Sequence, residues 1–128
     1  SKELSIENEV TFLKNIDFNL KTALISEANL FLMPNRIEKK SVEGFGISFI
    51  EAASFGKGSI GGIHGGEADA IKQNETGLLC DGNNLNEIYD SIINFFEGEK
   101  YKFYGKNAFE FSKNFKWKSI IKDYIKLI

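Results

Sequence analysis

Two carboxylates, Glu43 and Glu51, frame the stretch best suited to chemistry: Glu43-Gly44-Phe45-Gly46-Ile47-Ser48-Phe49-Ile50-Glu51-Ala52. Glu43 falls in a loop. Glu51 falls one turn into the helix that Ile47 begins, on the same side as Ile47, and so faces back toward the helix start. Between the carboxylates is a helix N-terminus, with free backbone N–H groups and the positive end of the dipole. The glycines flanking Phe45 let a ligand come close to that backbone. Carboxylates accept hydrogen bonds from hydroxyls and amides donate to phosphate oxygens, so the stretch suits a diphosphate held between two hydroxyl-bearing sugars. A plainer reading places Glu51 in a solvated stripe with Ser48 and Ser54, and makes Glu43 a favourable charge near a helix start. Spacing by itself favours the plainer reading.

The elements that would carry this stretch alternate. Val10-Thr11-Phe12-Leu13 predicts a short strand, and Leu20, Ala23, Leu24 and Ala28 have helical spacing. The apolar run Leu30-Phe31-Leu32-Met33, ended by Pro34, predicts a strand buried on both faces. A polar loop from Asn35 to Val42 leads to a helix from Ile47 to about Phe55, stopped by Gly56. Ser59 to Gly62 reads as a strand, Glu67 to about Gln73 as a helix behind Gly65-Gly66, and Gly77 to Cys80 as a further strand before a turn at Asp81-Gly82. Leu85, Ile88, Ile92, Phe95 and Phe96 make an amphipathic helix from Leu85 to Phe96. Helices are also predicted across Lys102 to Phe111 and Lys116 to Ile128, the last with a stripe of Trp117, Ile120, Ile121, Tyr124 and Ile128. This alternation predicts an α/β, Rossmann-like three-layer domain: a parallel sheet between helices, connected by right-handed crossovers. Ligands of such sheets collect at the carboxyl ends of the strands, where both glycine-rich turns, 44–46 and 61–66, should fall.

Length and composition restrict the partners. A chain of 128 residues, 42% hydrophobic and 13% aromatic, is one domain with ample core. A net charge of −2 offers no broad basic surface to nucleic acid. Cys80 has no second cysteine to pair with and lies in an apolar run, which suits core packing in a reducing, cytoplasmic compartment. No apolar stretch approaches the ~20 residues of a membrane-spanning helix. The start, Ser1-Lys2-Glu3, lacks a signal peptide's apolar segment and an initiating Met, as expected of a chain cut from a longer protein. His64 reads as a surface loop residue, with a polar contact to a ligand as the alternative, and Asp69 as a charge at a helix start. One His and one Cys far apart do not make a metal site.

An ordered set of short motifs carries a resemblance. Pro34, Glu43-Gly44-Phe45-Gly46 with Glu51-Ala52, Gly56-Lys57, Gly65-Gly66, Asp69-Ala70-Ile71 and Glu75-Thr76-Gly77-Leu78-Leu79 together resemble the C-terminal domain of family-four glycosyltransferases. Their order is similar to that of phosphatidylinositol mannosyltransferase-like enzymes, and Phe115-Lys116-Trp117 resembles the family's Phe-Ser-Trp. The resemblance implies the C-terminal half of a GT-B fold and retaining transfer of a hexose from a nucleotide diphosphate sugar, a GDP- or UDP-hexose, with no metal and no cofactor besides that donor. By matched position, Glu43 is the catalytic-site residue and hydrogen-bonds hexose hydroxyls, while Glu51 binds the ribose diol. Gly44 and the backbone of Phe45, Gly46 and Ile47 meet diphosphate and sugar, Gly65-Gly66 packs against the donor, and the backbone of Leu13 to Asn15 contacts the base.

The departures from the family matter as well. Gly56-Lys57-Gly58-Ser59-Ile60 stands where members have Gly-Lys-Pro-Val-Ile, which replaces a rigid strand entrance by a flexible one. The family's glycine-rich segment, its diphosphate-neutralising Arg and Lys, and its acceptor domain would all lie upstream of position 1. The expectation is therefore an N-terminally truncated donor-binding half, silent in transfer by itself, with peripheral membrane association through the missing domain. Arg36, Lys39, Lys40 and Lys57 are the cations at hand. The alternatives are a non-catalytic sugar-nucleotide-binding module and a GT-B nucleotide-sugar epimerase, which would set a catalytic carboxylate and histidine around the cleft.

Overall fold

Three short apolar runs form the sheet of the computed structural model, which describes residues 2–35 and 46–116. They are β1 (Phe31–Met33), β2 (Ser59–Gly62) and β3 (Gly77–Cys80), in the order β1-β2-β3 and all parallel. Phe31 is in register with Ser59, and Ser59 with Gly77. Alternation along the strands sends side chains to two faces. On one, Ile60, Leu78 and Cys80 pack with Phe95 of α4 (Leu85–Phe96) and Tyr104 of α5 (Lys100–Ser112). On the other, Phe31, Met33 and Leu79 pack with Phe49 of α2 (Ile47–Ser54) and with Ala70 of α3 (Glu67–Ala70) and Ile71 just after it. With α1 (Phe18–Glu27) preceding β1, this is the Rossmann-like α/β three-layer arrangement.

Local chemistry sets the helix ends. Asp17 caps α1 by accepting from the Leu20 N–H at 2.7 Å. Asn84 caps α4, accepting from Asn86 and Glu87 N–H, while its own amide donates to Glu87 at 3.1 Å. Gly56 stops α2 in the left-handed region at φ +71°.

Four expectations are corrected. Val10 to Leu13 is no strand: it pairs with no other segment among the described residues, and Val10, Phe12 and Leu13 are 38%, 82% and 50% exposed. Alternation favours extended backbone, but a strand also needs a ladder partner. β1 is not buried on both faces, because it is the edge of the described sheet and Leu32 is exposed. The helix after Gly65-Gly66 ends at Ala70 rather than Gln73. Ile71 turns extended to enter the core, and the Lys72 N–H is taken by the Thr76 hydroxyl at 2.9 Å. Finally, Gly58 is buried in tight packing rather than a flexible entrance, since a Cβ there would fall 2.7 Å from Tyr104 Cβ and 3.0 Å from Phe95 Cζ. The helix expected over Lys116 to Ile128, with Trp117, lies outside the described residues beyond Lys116.

Gly77 lies so close to β2 that a Cβ would collide with the Ser59 carbonyl oxygen, and the neighbour is backbone rather than a yielding side chain. Gly77→Ala should therefore cost about 1–3 kcal/mol, the usual range for overpacking. Urea unfolding measures it, and a loss under about 0.5 kcal/mol, the level of a surface substitution, would show that β2 and β3 part more easily than their packing implies.

Candidate functional site

Because β1 and β2 run parallel, the segments leaving their carboxyl ends open on one edge of the sheet. The first leads to α2. Its N-cap is Gly46, at φ +73° and ψ 43°, a conformation that disfavours any residue with a Cβ. Among the described residues no side chain caps this helix start, and the one local bond is from the Phe49 N–H to the Gly46 carbonyl at 2.9 Å. The backbone amides of Ile47 and Ser48 have no partner among the described residues and stand at the positive end of the helix. Glu43, Gly44 and Phe45 lie outside the described residues, as do Arg36, Lys39 and Lys40. Lys57 precedes β2 and so sits at the opposite, amino-terminal edge of the sheet, away from this site.

Glu51, one turn into α2, does not stand free in a solvated stripe. Its side chain is 24% exposed and its carboxylate meets Lys21 of α1, with Nζ 2.8 Å from Oε1 and 2.9 Å from Oε2. Beside the pair runs an open groove of about 490 Å³ lined by Ile47, Ile50, Ser54, Ser112 and Phe115. Ile47 and Glu51 thus share one side of the helix, as their spacing requires. Leu13 and Asn15 lie on the exposed segment leading into α1, with Asn15 at φ +52°.

The second segment leaves β2 and carries Gly65 and Gly66, the latter being the N-cap of α3. What fills the space beneath them is Glu67. It is fully buried, its Oε1 accepts from Asn35 Nδ2, and its Oε2 has no hydrogen-bond partner among the described residues. A Cβ on Gly65 would collide with that carboxylate, so this glycine makes room for Glu67. Asn35 and Glu67 thereby tie the segment after β1 to the segment after β2. Sequence reasoning missed this pair, because a Glu after Gly-Gly reads as an ordinary first-turn acid and its partner is 32 positions away. Asp69 is exposed in the first turn of α3.

His64 comes within 3.5 Å of Asp81, at the carboxyl end of β3. The Asn83 backbone N–H, chiefly, holds the Asp81 carboxyl below its usual range, with the Asn83 side chain and His64 adding to the effect. Burial pushes the Cys80 thiol up, consistent with a packing role.

The family model described as glycosyl transferases group 1 matches residues 1–111. A GDP-mannose-dependent alpha-(1-6)-phosphatidylinositol monomannoside mannosyltransferase of Mycobacterium tuberculosis is 32% identical over 92 residues, 70% of this chain and 24% of that protein. The solved sucrose-phosphate synthase from Thermosynechococcus elongatus matches with a TM-score of 0.82 at 27% identity, over 98% of this chain and 31% of that one. The Anabaena protein HepE, in complex with UDP-glucose, shares the fold with a TM-score of 0.74 at 21% identity, over 88% of this chain and 30% of its own. The chain spans about a quarter of the length of the mannosyltransferase it matches. Among the described residues no helix is long and apolar enough to cross a membrane.

Removing the amide that serves Glu67 should expose the cost of a buried carboxylate. Asn35→Ala is expected to destabilise the fold by about 1–3 kcal/mol, the range for leaving a buried polar group unsatisfied. Thermal or urea unfolding reads this directly, and a variant as stable as the parent would mean that Glu67 is satisfied without Asn35.

Proposed function

Since the chain belongs to the glycosyl transferases group 1 family, we propose that it is the donor-binding domain of a retaining hexosyltransferase. In this reading the edge at the start of α2 takes a nucleotide diphosphate hexose. The observation that carries it is the pairing of a helix start at Gly46 that no described side chain caps with a half-buried carboxylate, Glu51, one turn inside and facing a groove. The amides of Ile47 and Ser48 suit diphosphate oxygens, and Glu51 suits the ribose diol. Glu43, Gly44 and Phe45 belong to the same site through their matched positions, with Glu43 toward the hexose. Gly65 and Gly66 border it from the segment after β2.

The donor in this reading is a GDP- or UDP-hexose, and a GDP-mannose-dependent relative supports the nucleotide sugar class. The chemistry draws on no metal and no cofactor besides the donor. Acceptor recognition lies outside these 128 residues, which by themselves bind donor without transferring its hexose.

Calorimetry with GDP and UDP tests the nucleotide half of the site. Glu51→Ala should weaken binding of the preferred nucleotide by about 1.5–3 kcal/mol, and unchanged affinity would reduce Glu51 to a partner of Lys21.

Steady-state kinetics of the enzyme carrying this domain tests the sugar half. Glu43→Gln should lower kcat far more than it weakens nucleoside diphosphate inhibition, because contacts to the hexose matter most as positive charge develops at its anomeric carbon. Equal losses in both, or a loss in inhibition with kcat spared, would place Glu43 at the wrong end of the donor.

A further inference from the structure

The chain holds four Lys–carboxylate ion pairs among its described residues, and three of them, Lys100–Glu97, Lys102–Glu99 and Lys113–Glu110, are local contacts three positions apart. Such exposed pairs contribute little. Lys21–Glu51 differs in kind. It joins α1 to α2 across 30 positions, and its ammonium spans both carboxylate oxygens at 2.8 and 2.9 Å. That ammonium therefore occupies the face on which a carboxylate can accept two neighbouring hydroxyls at once. A ribose diol and Lys21 cannot share it. When the diol takes Glu51, the displaced ammonium loses its counter-charge while remaining tethered beside the groove that Ile47 also lines. The nearest anion is then the diphosphate at the start of α2, one helical turn from Glu51, within the swing of a lysine's four-carbon stem.

On the donor-binding reading above, we propose that Lys21 is a second donor-contacting residue. It neutralises Glu51 in the empty site and moves to the diphosphate when the ribose displaces it. One cation so serves two anions in turn. The bare carboxylate is not left half-buried without a partner, and the diphosphate is not left facing amides alone. Lys21 is 43% exposed, so the exchange needs no unfolding of its surroundings.

The test compares nucleoside with nucleoside diphosphate, for both uridine and guanosine, by calorimetry and NMR titration of the 128-residue chain. Lys21→Met should bind the preferred diphosphate about fivefold to tenfold more weakly, the scale of one partly screened charge-assisted contact, while nucleoside affinity holds or rises because the diol no longer competes. Lys21→Arg should restore the diphosphate affinity. Glu51→Gln should do the reverse, weakening nucleoside and leaving the gain from the diphosphate intact or larger. If Lys21→Met weakens nucleoside and diphosphate equally, Lys21 merely holds Glu51 in place and the exchange is refuted. If it changes neither, Lys21 is a surface charge. If the parent chain binds no nucleoside diphosphate, or Glu51→Gln has no effect, the donor-site reading falls first and takes this inference with it.

Discussion

Everything at the proposed site hangs on β2. All four of its residues are buried, it pairs in parallel with β1 on one side and β3 on the other, and helices cover both of its faces. A strand hemmed in this way tolerates little bulk. Gly61 lies where a Cβ would press on Ile71 at 2.7 Å and on Phe49 at 3.2 Å, so glycine lets α2 and the end of α3 approach the sheet closely. Parallel pairing then brings the carboxyl ends of β1 and β2 to one edge, and that shared edge makes neighbours of two segments distant in the chain.

The parts legible in the sequence were those decided locally. Ser59–Gly62, Gly77–Cys80 and Leu85–Phe96 fall where apolar runs, glycines and helical spacing put them. α2 begins at Ile47 and stops at Gly56 because a left-handed glycine bounds each end, a conformational requirement visible in the residue type. Val10 to Leu13 failed because an apolar run says nothing of whether a neighbouring strand is there to pair with it. α3 failed in length because a single threonine hydroxyl, Thr76, replaced a helical bond at Lys72. Lys57 was misjudged for a topological reason. Lys57 is close to Glu51 in sequence but stands before β2, whereas Lys21 is far in sequence and touches Glu51.

Two carboxylates of this helical layer, Glu67 and Glu51, show how burial sorts function. Glu67 is enclosed completely and held by the neutral amide of Asn35, so it can neither change partners nor reach solvent. Its contribution is structural: it couples the segment after β1 to the segment after β2, and the expected sugar-facing residues lie on those two segments. Breaking such a contact leaves a fully buried polar group without the donor that serves it among the described residues.

Glu51 faces the opposite situation. At 24% exposure beside a groove it retains enough solvent contact to lose one partner and gain another, and its partner is a long, flexible ammonium rather than a fixed amide. A bond between partly exposed ions is weak in net terms because water and salt screen the attraction and holding two long side chains in one geometry costs entropy. That weakness suits a binding site. A carboxylate locked to its counter-ion as tightly as Glu67 is enclosed would have no acceptor to offer a ligand, while one left bare would have to be desolvated at the moment of binding. A marginal ion pair at the mouth of a groove keeps the carboxylate charged and aimed while remaining easy to exchange for hydroxyl donors.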